Sequence, residues 1–419
     1  MVIAEGDGVE RMLTGLLEAS HLASIEQVPD LLAEHAPHAG LGEVLVYLAD
    51  LQQTVLRLLT GRGDSDGAGA DPQTAELKID GTLAGRAYQS VRIHAKEGPD
   101  GQAEYWWVPL LDGTERLGVL RVRVAETDGD EISMTARMRH LASLVALMVV
   151  SSQPYSDSHA RLVRTRPMNV AAEMQWNLMP PLTFTNASVT ISAVLEPAYE
   201  IGGDAFDYAI AGDVVHLAIF DAMGHDVAAG LAANLAMASC RNQRRQGVAL
   251  ADISQGIERT LLREFGQDNR FVTAIMADLD TATGLLSWIN RGHHPPVLLR
   301  GGRWATRLPC PPSHPMGADL GRPVTVCTEQ LEPGDRVLLY TDGITEAENR
   351  HGEEFGLQRF VDFVIRHNAD GLPVPETLRR LTHAVLTYHD GSLQDDATVL
   401  LLQWNGVPQS QRAGTSPVV

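Results

Sequence analysis

Four short segments in the second half of the chain place aspartates where they could share metal ions. The segments are Gly202-Gly203-Asp204-Ala205-Phe206-Asp207, Asp221-Ala222-Met223-Gly224-His225, Tyr340-Thr341-Asp342-Gly343 and Asp395-Asp396-Ala397-Thr398. Several carboxylates at one point repel one another unless cations lie between them. Ligand sets made only of oxygen favour Mg²⁺ or Mn²⁺ over zinc. The segments therefore predict a carboxylate-rich metal site that handles phosphate.

Strands are expected to position three of these segments, because each lies next to an apolar stretch. The stretches are Val214–Phe220 before Asp221, Val337–Tyr340 before Asp342, and Val399–Leu402 after Asp395. Carboxylates at the ends of strands can converge on one point. In the remaining segment, two glycines before Asp204 permit backbone conformations that other residues avoid, so the chain can approach a phosphate or metal closely.

The order and spacing of the four segments resemble those of the metal-dependent serine/threonine phosphatases of the protein phosphatase 2C type. The nearer match is the bacterial branch that includes SpoIIE and RsbU, for which the stretch Asn290-Arg291-Gly292-His293-His294-Pro295-Pro296 is also typical. The resemblance runs from about Asn186 to Gln403, roughly half of the chain. It implies an α/β/β/α sandwich with two or more Mn²⁺ or Mg²⁺ ions at one end.

The resemblance also implies a role for each residue of the metal site. Asp221 would bridge two ions, and the backbone carbonyl of Ala222 would bind one of them, although the family usually has Gly or Val there. Asp204 would join the cluster partly through water. Asp342 would bind the second ion, and Asp395 would complete the set. Two ions about 3.5–4 Å apart lower the pKa of a shared water, which would attack phosphorus in line.

Asp395 and Asp396 are adjacent, so their side chains diverge in an extended chain. Only one of the two can easily point into the cluster. The resemblance selects Asp395 as the ligand. Asp396 would then orient a loop or bind a nearby water.

Other polar residues near these segments have two interpretations each. Asp207 and Glu346 either support a ligand or lie on the surface. His225 either protonates the leaving serine oxygen as a general acid or packs at the start of the next helix. His293 and His294 are expected to form a structural turn, because no carboxylate or histidine near them in the sequence is spaced to share an ion.

Composition excludes several functional classes. The net charge of −20 argues against binding of nucleic acid or of anionic lipid. The longest apolar run, Leu141–Val150, is about half of what a membrane span requires, and no signal peptide is recognisable over Met1–Arg11. The three scattered cysteines, Cys240, Cys310 and Cys327, predict reduced thiols in a cytoplasmic protein.

Residues 9–150 are expected to form a separate α+β domain. Helical spacing is found in Val9–Ala19, Ile25–Glu34 and Met134–Val150, and strands are predicted at Glu43–Leu48, Thr54–Leu58, Glu104–Pro109 and Leu117–Val124. The stretches Val108–Leu110 and Leu117–Val122 resemble the signature strands of a GAF sensory domain, with a generic α+β domain as the alternative. Gly61–Asp71 is rich in Gly and Asp and predicts a flexible loop. The ligand of such a sensor is not predictable.

A helical connector is expected over residues 151–183, then the phosphatase-like domain over 184–404 and a disordered tail over 405–419. Two apolar stripes occur in this region. The first precedes the connector and consists of Met138, Leu141, Val145 and Met148, and the second lies in the connector just before the phosphatase-like domain and consists of Met168, Ala171, Met174 and Leu178. Stripes of this spacing predict amphipathic helices. They favour a homodimer seam that transmits the state of the sensor. The alternative is that each stripe packs on its own domain.

Taken together, the sequence predicts a cytoplasmic Mn²⁺- or Mg²⁺-dependent phosphoserine/phosphothreonine protein phosphatase controlled by an N-terminal sensor. By resemblance, its substrate would be a phosphorylated anti-anti-sigma factor of the STAS type, whose dephosphorylation frees a sigma factor. One alternative is a phosphatase fold that has lost catalysis and serves as a binding scaffold. Another is a metal-dependent cyclase or nucleotidyl transferase, for which no nucleotide-binding signature is present.

Overall fold

A computed structural model describes residues 2–61, 75–99, 101–124, 131–200, 202–224, 226–266, 270–369, 372–389, 393 and 395–407. The chain divides into two compact units, Met1–Pro167 and Met168–Val419. The predictions for His225, for the loop at positions 62–71 and for the tail beyond residue 407 concern residues outside the described ranges.

The first unit is built on one antiparallel sheet with strand order β3-β2-β1-β6-β5-β4. Its strands are β1 Leu41–Ala49, β2 Val55–Leu58, β3 Glu76–Lys78, β4 His94–Glu97, β5 Ala103–Asp112 and β6 Glu115–Val124. Its helices are α1 Val2–Ser20, α2 Val28–His35, α3 Leu83–Ser90, α4 Glu131–Ser152 and α5 Asp157–Val163. The predicted α+β class of this unit is confirmed.

Both faces of this sheet are covered by helices. α1, α2 and α4 bury one face, and α3 packs on the other. The first apolar stripe, on α4, lies inside this core, and each of its four side chains is at most 6% exposed. The prediction that this stripe forms a dimer seam is therefore wrong, because its own domain already buries it.

The second unit contains two sheets, ordered β15-β12-β11-β10-β9 and β14-β13-β16-β17-β8-β7. Its strands are β7 Thr183–Thr185, β8 Val189–Glu196, β9 Asp204–Ala211, β10 Val214–Ala222, β11 Val272–Asp280, β12 Leu285–Arg291, β13 Val297–Arg300, β14 Trp304–Arg307, β15 Cys327–Gln330, β16 Arg336–Tyr340 and β17 Ala397–Trp404. Its helices are α6 Val170–Leu178, α7 Val227–Arg244, α8 Leu250–Phe265, α9 Asp342–Thr345, α10 Gly356–Ala369 and α11 Val374–Tyr388.

Three cores stack in this unit. One lies between the two sheets, a second lies between the first sheet and α7 and α8, and a third lies between the other sheet and α10 and α11. The predicted α/β/β/α sandwich is therefore confirmed. The helix α6 begins after Asn169, whose side chain accepts the Ala172 N–H at 2.7 Å as an N-cap.

Alternation along the strands decides which way each aspartate points. On β10, Leu217 and Ile219 face the other sheet, so Asp221 at the end of this strand faces it too. On β9, Asp204 has the parity of Phe206, which also lies between the sheets. Asp207 has the opposite parity and faces the helices. The geometry therefore separates Asp207 from the other aspartates.

Asp207 forms a buried ion pair that joins β9 to α7. Its carboxylate is bound by Arg241 at 2.7 and 2.9 Å and by Arg244 at 2.8 Å. The Asp207 side chain is only 2% exposed. Neither of the two roles proposed for it from the sequence is correct, since it is a structural residue of the helix–sheet interface.

The prediction of reduced thiols is wrong for two of the three cysteines. Cys310 and Cys327 form a disulfide with an S–S distance of 2.08 Å, while Cys240 is free and buried. The two bonded residues meet beside the core between the sheets, an approach that no local sequence pattern reveals. Every helix within the described residues is too short or too polar to cross a lipid bilayer.

Replacing Asp207 with Ala should lower the free energy of unfolding by roughly 3 kcal/mol, because two arginines would be left without their buried partner. Urea denaturation of the metal-free protein measures this change. The matched control is Asp278→Ala, which removes a partly exposed pair with His216 (2.6 Å) and should cost less than about 1 kcal/mol. Equal losses in the two variants would contradict the assignment.

Candidate metal centre

Asp204 and Asp221 lie side by side at one end of the sandwich. They are direct partners in the register of β9 and β10. Oδ2 of Asp204 accepts hydrogen bonds from the hydroxyls of Thr341 at 2.7 Å and Thr398 at 2.6 Å. Since Thr341 follows β16 and Thr398 lies on β17, these bonds fasten Asp204 of one sheet to the end of the other.

Asp396 holds the turn that precedes Asp204. Its Oδ2 accepts the backbone N–H groups of Gly202, Gly203 and Asp204 at 2.8, 2.6 and 3.2 Å. Asp396 is 4% exposed, so these bonds replace the water that its carboxylate has lost. Of the two roles predicted for Asp396, the structure favours the one in which it orients a loop. The neighbouring Asp395 is exposed and accepts the Asp396 N–H at 2.9 Å.

Gly203 packs directly against the end of β10. A Cβ at this position would lie 2.4 Å from the carbonyl oxygen of Ala222 and 2.7 Å from that of Gly224. The Ala222 N–H also donates to the Gly203 carbonyl at 3.0 Å. Only glycine fits this approach, which fixes the Ala222 carbonyl beside Asp204 and Asp221.

Asp342 belongs to a second group of possible ligands. It starts the short helix α9, and a carboxylate oxygen of Asp342, a carboxylate oxygen of Glu346 and a ring nitrogen of His294 all lie within 4.8 Å of one another. The His294 ring stacks on Tyr340 with a centroid distance of 5.7 Å. The expectation that His294 has no carboxylate with which to share an ion is therefore wrong, since the chain brings Asp342 and Glu346 to it from a distant strand end.

His293 has a structural role, as the sequence predicts. Its Nε2 lies 3.0 Å from the Tyr340 carbonyl and its Nδ1 lies 2.7 Å from the Thr273 hydroxyl. Burial, with a smaller effect of the charge of His294, lowers the pKa of His293 to about 3. The ring is neutral near pH 7, so it cannot serve there as a proton donor of the imidazolium type. The Thr273 hydroxyl also lies 3.2 Å from Oδ2 of Asp221.

Arg291 is wholly buried and anchors the segment that follows β14. Its guanidinium binds Glu258 on α8 and donates through Nε to the His314 carbonyl at 2.9 Å. Nε2 of His314 lies 2.8 Å from the same Glu258. This network places Arg291 in the scaffold and away from the aspartates.

The carboxylates of Asp204 and Asp221 lie close together and are largely buried, so their negative charges would be stabilised by bound cations. Burial, followed by the charges of Asp396 and Asp221, raises the pKa of Asp204 well above its ordinary value. Burial, followed by the charges of Asp342, Asp395 and Asp396, raises the pKa of Asp221 to about 7. Burial also raises the pKa of Asp396. Carboxylate and carbonyl oxygens at close quarters form a donor set that fits hard divalent ions.

Comparison with known proteins agrees with this arrangement. A family model described as Stage II sporulation protein E (SpoIIE) matches residues 211–405. This part of the chain belongs to the SpoIIE family. The prediction of a SpoIIE/RsbU-like domain of the protein phosphatase 2C type is confirmed.

The relatives of the SpoIIE-family domain are distant in sequence. Protein IcfG from Synechocystis sp. is 25% identical over 261 residues, which are 56% of this chain and 40% of IcfG. Phosphoserine phosphatase RsbU from Bacillus subtilis is 20% identical over 238 residues, or 56% of this chain and 69% of RsbU. The solved RsbU and RsbW domains of Rv1364c from Mycobacterium tuberculosis align with a TM-score of 0.47 and 24% identity, over 54% of this chain and 63% of that chain. The chain thus spans less than half of the length of IcfG.

At this end of the sandwich, Asp204 and Asp221 are register partners, and Asp342 and Asp395 lie near enough for their charges to raise the pKa of Asp221. The structure does not bring Asp207 to them. Sequence reasoning gave no role to Thr341, Thr398 and Thr273, although the first two stand inside the quoted segments. The available signal was Thr341, next to Asp342, and Thr398, two residues after Asp396.

Asp221→Asn should make the metal-free protein no less stable at pH 8 and should reduce the stabilisation that Mn²⁺ gives. In the folded protein the pKa of Asp221 is raised from its ordinary value of 3.8 to about 7. Between about pH 4 and pH 7 the folded protein therefore holds a proton that the unfolded chain has lost, and stability falls as pH rises. The variant should show a shallower fall. Urea denaturation in a chelator at pH 5 and pH 8 measures this, with Asp278→Asn as a surface control, and an unchanged pH dependence would count against the repulsive cluster.

Proposed function

We propose that this protein is a metal-dependent serine/threonine protein phosphatase. The observation that carries the proposal is the meeting of Asp204, Asp221, Asp342 and Asp395 at one end of a SpoIIE-family sandwich. These carboxylates repel one another and are partly buried, so they suit a site whose charge is balanced by cations and by a phosphate group. RsbU, one of the relatives, bears the name phosphoserine phosphatase, which supports the same reaction class.

Each residue has a defined task in this mechanism. Bound Mn²⁺ or Mg²⁺ would supply Lewis-acid chemistry and neutralise the charge of the phosphate oxygens. Asp221, the Ala222 carbonyl, Asp204, Asp342 and Asp395 would hold these ions. Because these groups are held before substrate arrives, little reorganisation is needed during the reaction.

The supporting residues keep these ligands in place. Thr341 and Thr398 donate to Asp204, which favours its charged form. Asp396 fixes the Gly202–Gly203 turn, so the Ala222 carbonyl and Asp204 keep their spacing. Neutral His293 holds Thr273 beside Asp221. No general acid is assigned, and the leaving serine oxygen would take its proton from water.

The substrate we propose is a phosphoserine on a small anti-anti-sigma factor of the STAS type. Removal of the phosphate from this protein would free a sigma factor. The relationship to RsbU supports this substrate class. The cytoplasm remains the proposed location, although the Cys310–Cys327 disulfide removes the argument from reduced thiols. Phosphotyrosine peptides are expected to be poor substrates.

The function is tested with p-nitrophenyl phosphate and a phosphoserine peptide, each with and without Mn²⁺. Turnover should require the ion, and Asp342→Asn should lower turnover by more than about 100-fold while the protein stays folded. Asp278→Asn is the matched control, because this partly exposed aspartate pairs with His216 outside the centre. Undiminished turnover after exhaustive chelation would contradict the metal dependence. An absence of turnover in every condition, with a folded protein, would contradict the proposal and favour a binding scaffold.

Control by the N-terminal unit is the second part of the proposal. We propose that this unit is a GAF-like sensor for an unidentified ligand and that the protein is a homodimer. Helix α6 begins the second unit and touches the metal centre directly. Its Gln175, which is fully buried, donates through Nε2 to the carbonyls of Gly202 at 3.3 Å and Asp204 at 2.7 Å. A shift of α6 would therefore move the turn that carries a metal ligand.

Gln175→Leu should lower turnover and raise the Mn²⁺ concentration needed for half-maximal activity, because the turn loses two hydrogen bonds. Met174→Glu, on the same helix, should change self-association and turnover together if α6 also forms the seam. Sedimentation velocity and p-nitrophenyl phosphate turnover are the measurements. Asn177→Leu, at an exposed position of α6, is the control. A monomer with unaltered activity in both test variants would exclude this coupling.

A further inference from the structure

A groove of about 440 Å³ lies between the strand β14 and the helix α10 in the second unit. β14 is the edge strand of its sheet, so its outer side has no neighbouring strand. The floor of the groove is apolar. It includes Val297 and Val361, which are buried, and Leu357 and Ile365, which are partly exposed.

Two arginines line the groove and extend into solvent. Arg307 is the last residue of β14, Arg303 lies in the turn just before this strand, and both are exposed. Neither guanidinium has an ion-pair or hydrogen-bond partner among the residues that the structure describes. The acidic residue of the lining, Asp362, is engaged by Gln358 at 3.1 Å. In a chain with a net charge of −20, two unpaired cations in one groove form a distinct surface.

One end of the groove adjoins the metal centre. Arg307 pairs with Val297 in the register of β14 and β13, and Val297 follows His294 after two prolines. The charge of Arg307 acts on the buried phenol of Tyr340, on which the His294 ring stacks. His294 in turn lies with Asp342 and Glu346. The groove therefore leads from the centre outward, with Arg307 near it and Arg303 farther along.

We propose that this groove binds an acidic, extended segment of the phosphoprotein substrate next to its phosphoserine. An edge strand offers free backbone groups for an added peptide strand, and the apolar floor accepts alternate side chains of such a strand. Arg307 ends β14 and Arg303 lies in the turn before it, so the two are at most roughly 13 Å apart along the chain and suit two acidic residues separated by up to that distance. The inference rests on the proposed phosphatase function and names the substrate feature that the enzyme reads.

The positive charges of Arg303 and Arg307 should also increase the rate at which an acidic substrate associates with the protein. The acidic metal centre repels an acidic protein until cations occupy it, and the Arg303–Arg307 pair supplies local attraction beside it. Exposed cations raise the rate of encounter with an acidic partner and lose this effect as salt increases. Binding through the groove is therefore expected to weaken with ionic strength.

The test compares two phosphoserine peptides on the full-length protein. In one the phosphoserine is flanked on both sides by Glu and Asp, and in the other these residues are Gln and Asn. The wild type should favour the acidic peptide by about tenfold in kcat/KM. The double variant Arg303→Glu/Arg307→Glu should lose this preference or reverse it. The readout is the ratio of the two kcat/KM values, so a general loss of turnover cancels.

A matched control carries the same charge reversal elsewhere. Arg259 is exposed on α8, in the opposite helix layer, and Arg259→Glu should keep the preference of the wild type. A wild type without preference, or a double variant that behaves like Arg259→Glu, would overturn the proposal.

Binding is measured separately from catalysis. A fluorescein-labelled acidic peptide, titrated in the presence of a chelator and followed by anisotropy, should bind the wild type more tightly than the double variant. If no peptide is hydrolysed but this difference is seen, the phosphatase function fails and the groove assignment stands. If hydrolysis occurs and no difference in binding or preference is seen, the groove assignment alone fails.

Discussion

The Asp396 carboxylate is the interaction on which the rest of the centre depends. One oxygen accepts three consecutive N–H groups of the Gly202–Asp204 turn, and the residue itself begins the approach to β17. The strand ends of both sheets are thereby tied at one atom. Without this contact, the turn would lose three of the hydrogen bonds that orient Asp204 toward Asp221.

The centre gathers charges that oppose folding, and the sandwich compensates for them elsewhere. Three separate apolar cores hold the layers together, and each is formed without the acidic residues. Away from the centre, Asp207 and its two arginines link sheet and helix. The destabilising carboxylates are confined to one end of the strands, where the fold can tolerate them and where a ligand can reach them.

Most elements of the second unit near the aspartates could be predicted from sequence, because apolar runs of strand length end at Asp221 and Asp342. The helices α7 and α8 were also predictable from their periodicity. The pairing of the strands was not. Thr398 donates to a residue 194 positions away, and local patterns contain no information on such a contact.

The sequence could have shown that Asp207 and Asp204 point to opposite faces of the sheet, since residues three positions apart on a strand have side chains on opposite faces. The partners of Asp207 could not be predicted, because Arg241 and Arg244 lie on the next helix, 34 and 37 positions away. His294 was misjudged for the same reason. Its acidic neighbours follow a different strand, and only the folded sheet brings Asp342 beside it.

The Cys310–Cys327 disulfide brackets a stretch of chain that contains neither helix nor strand. Met316, inside this stretch, pairs with Val272 at the start of β11, one residue before Thr273 and its contact with Asp221. A cross-link over 17 residues removes loop-closure entropy from the unfolded chain, worth about 3 kcal/mol. The segment between the two cysteines is thus ordered at small entropic cost. It can support the residues next to the metal centre although it contains no regular secondary structure.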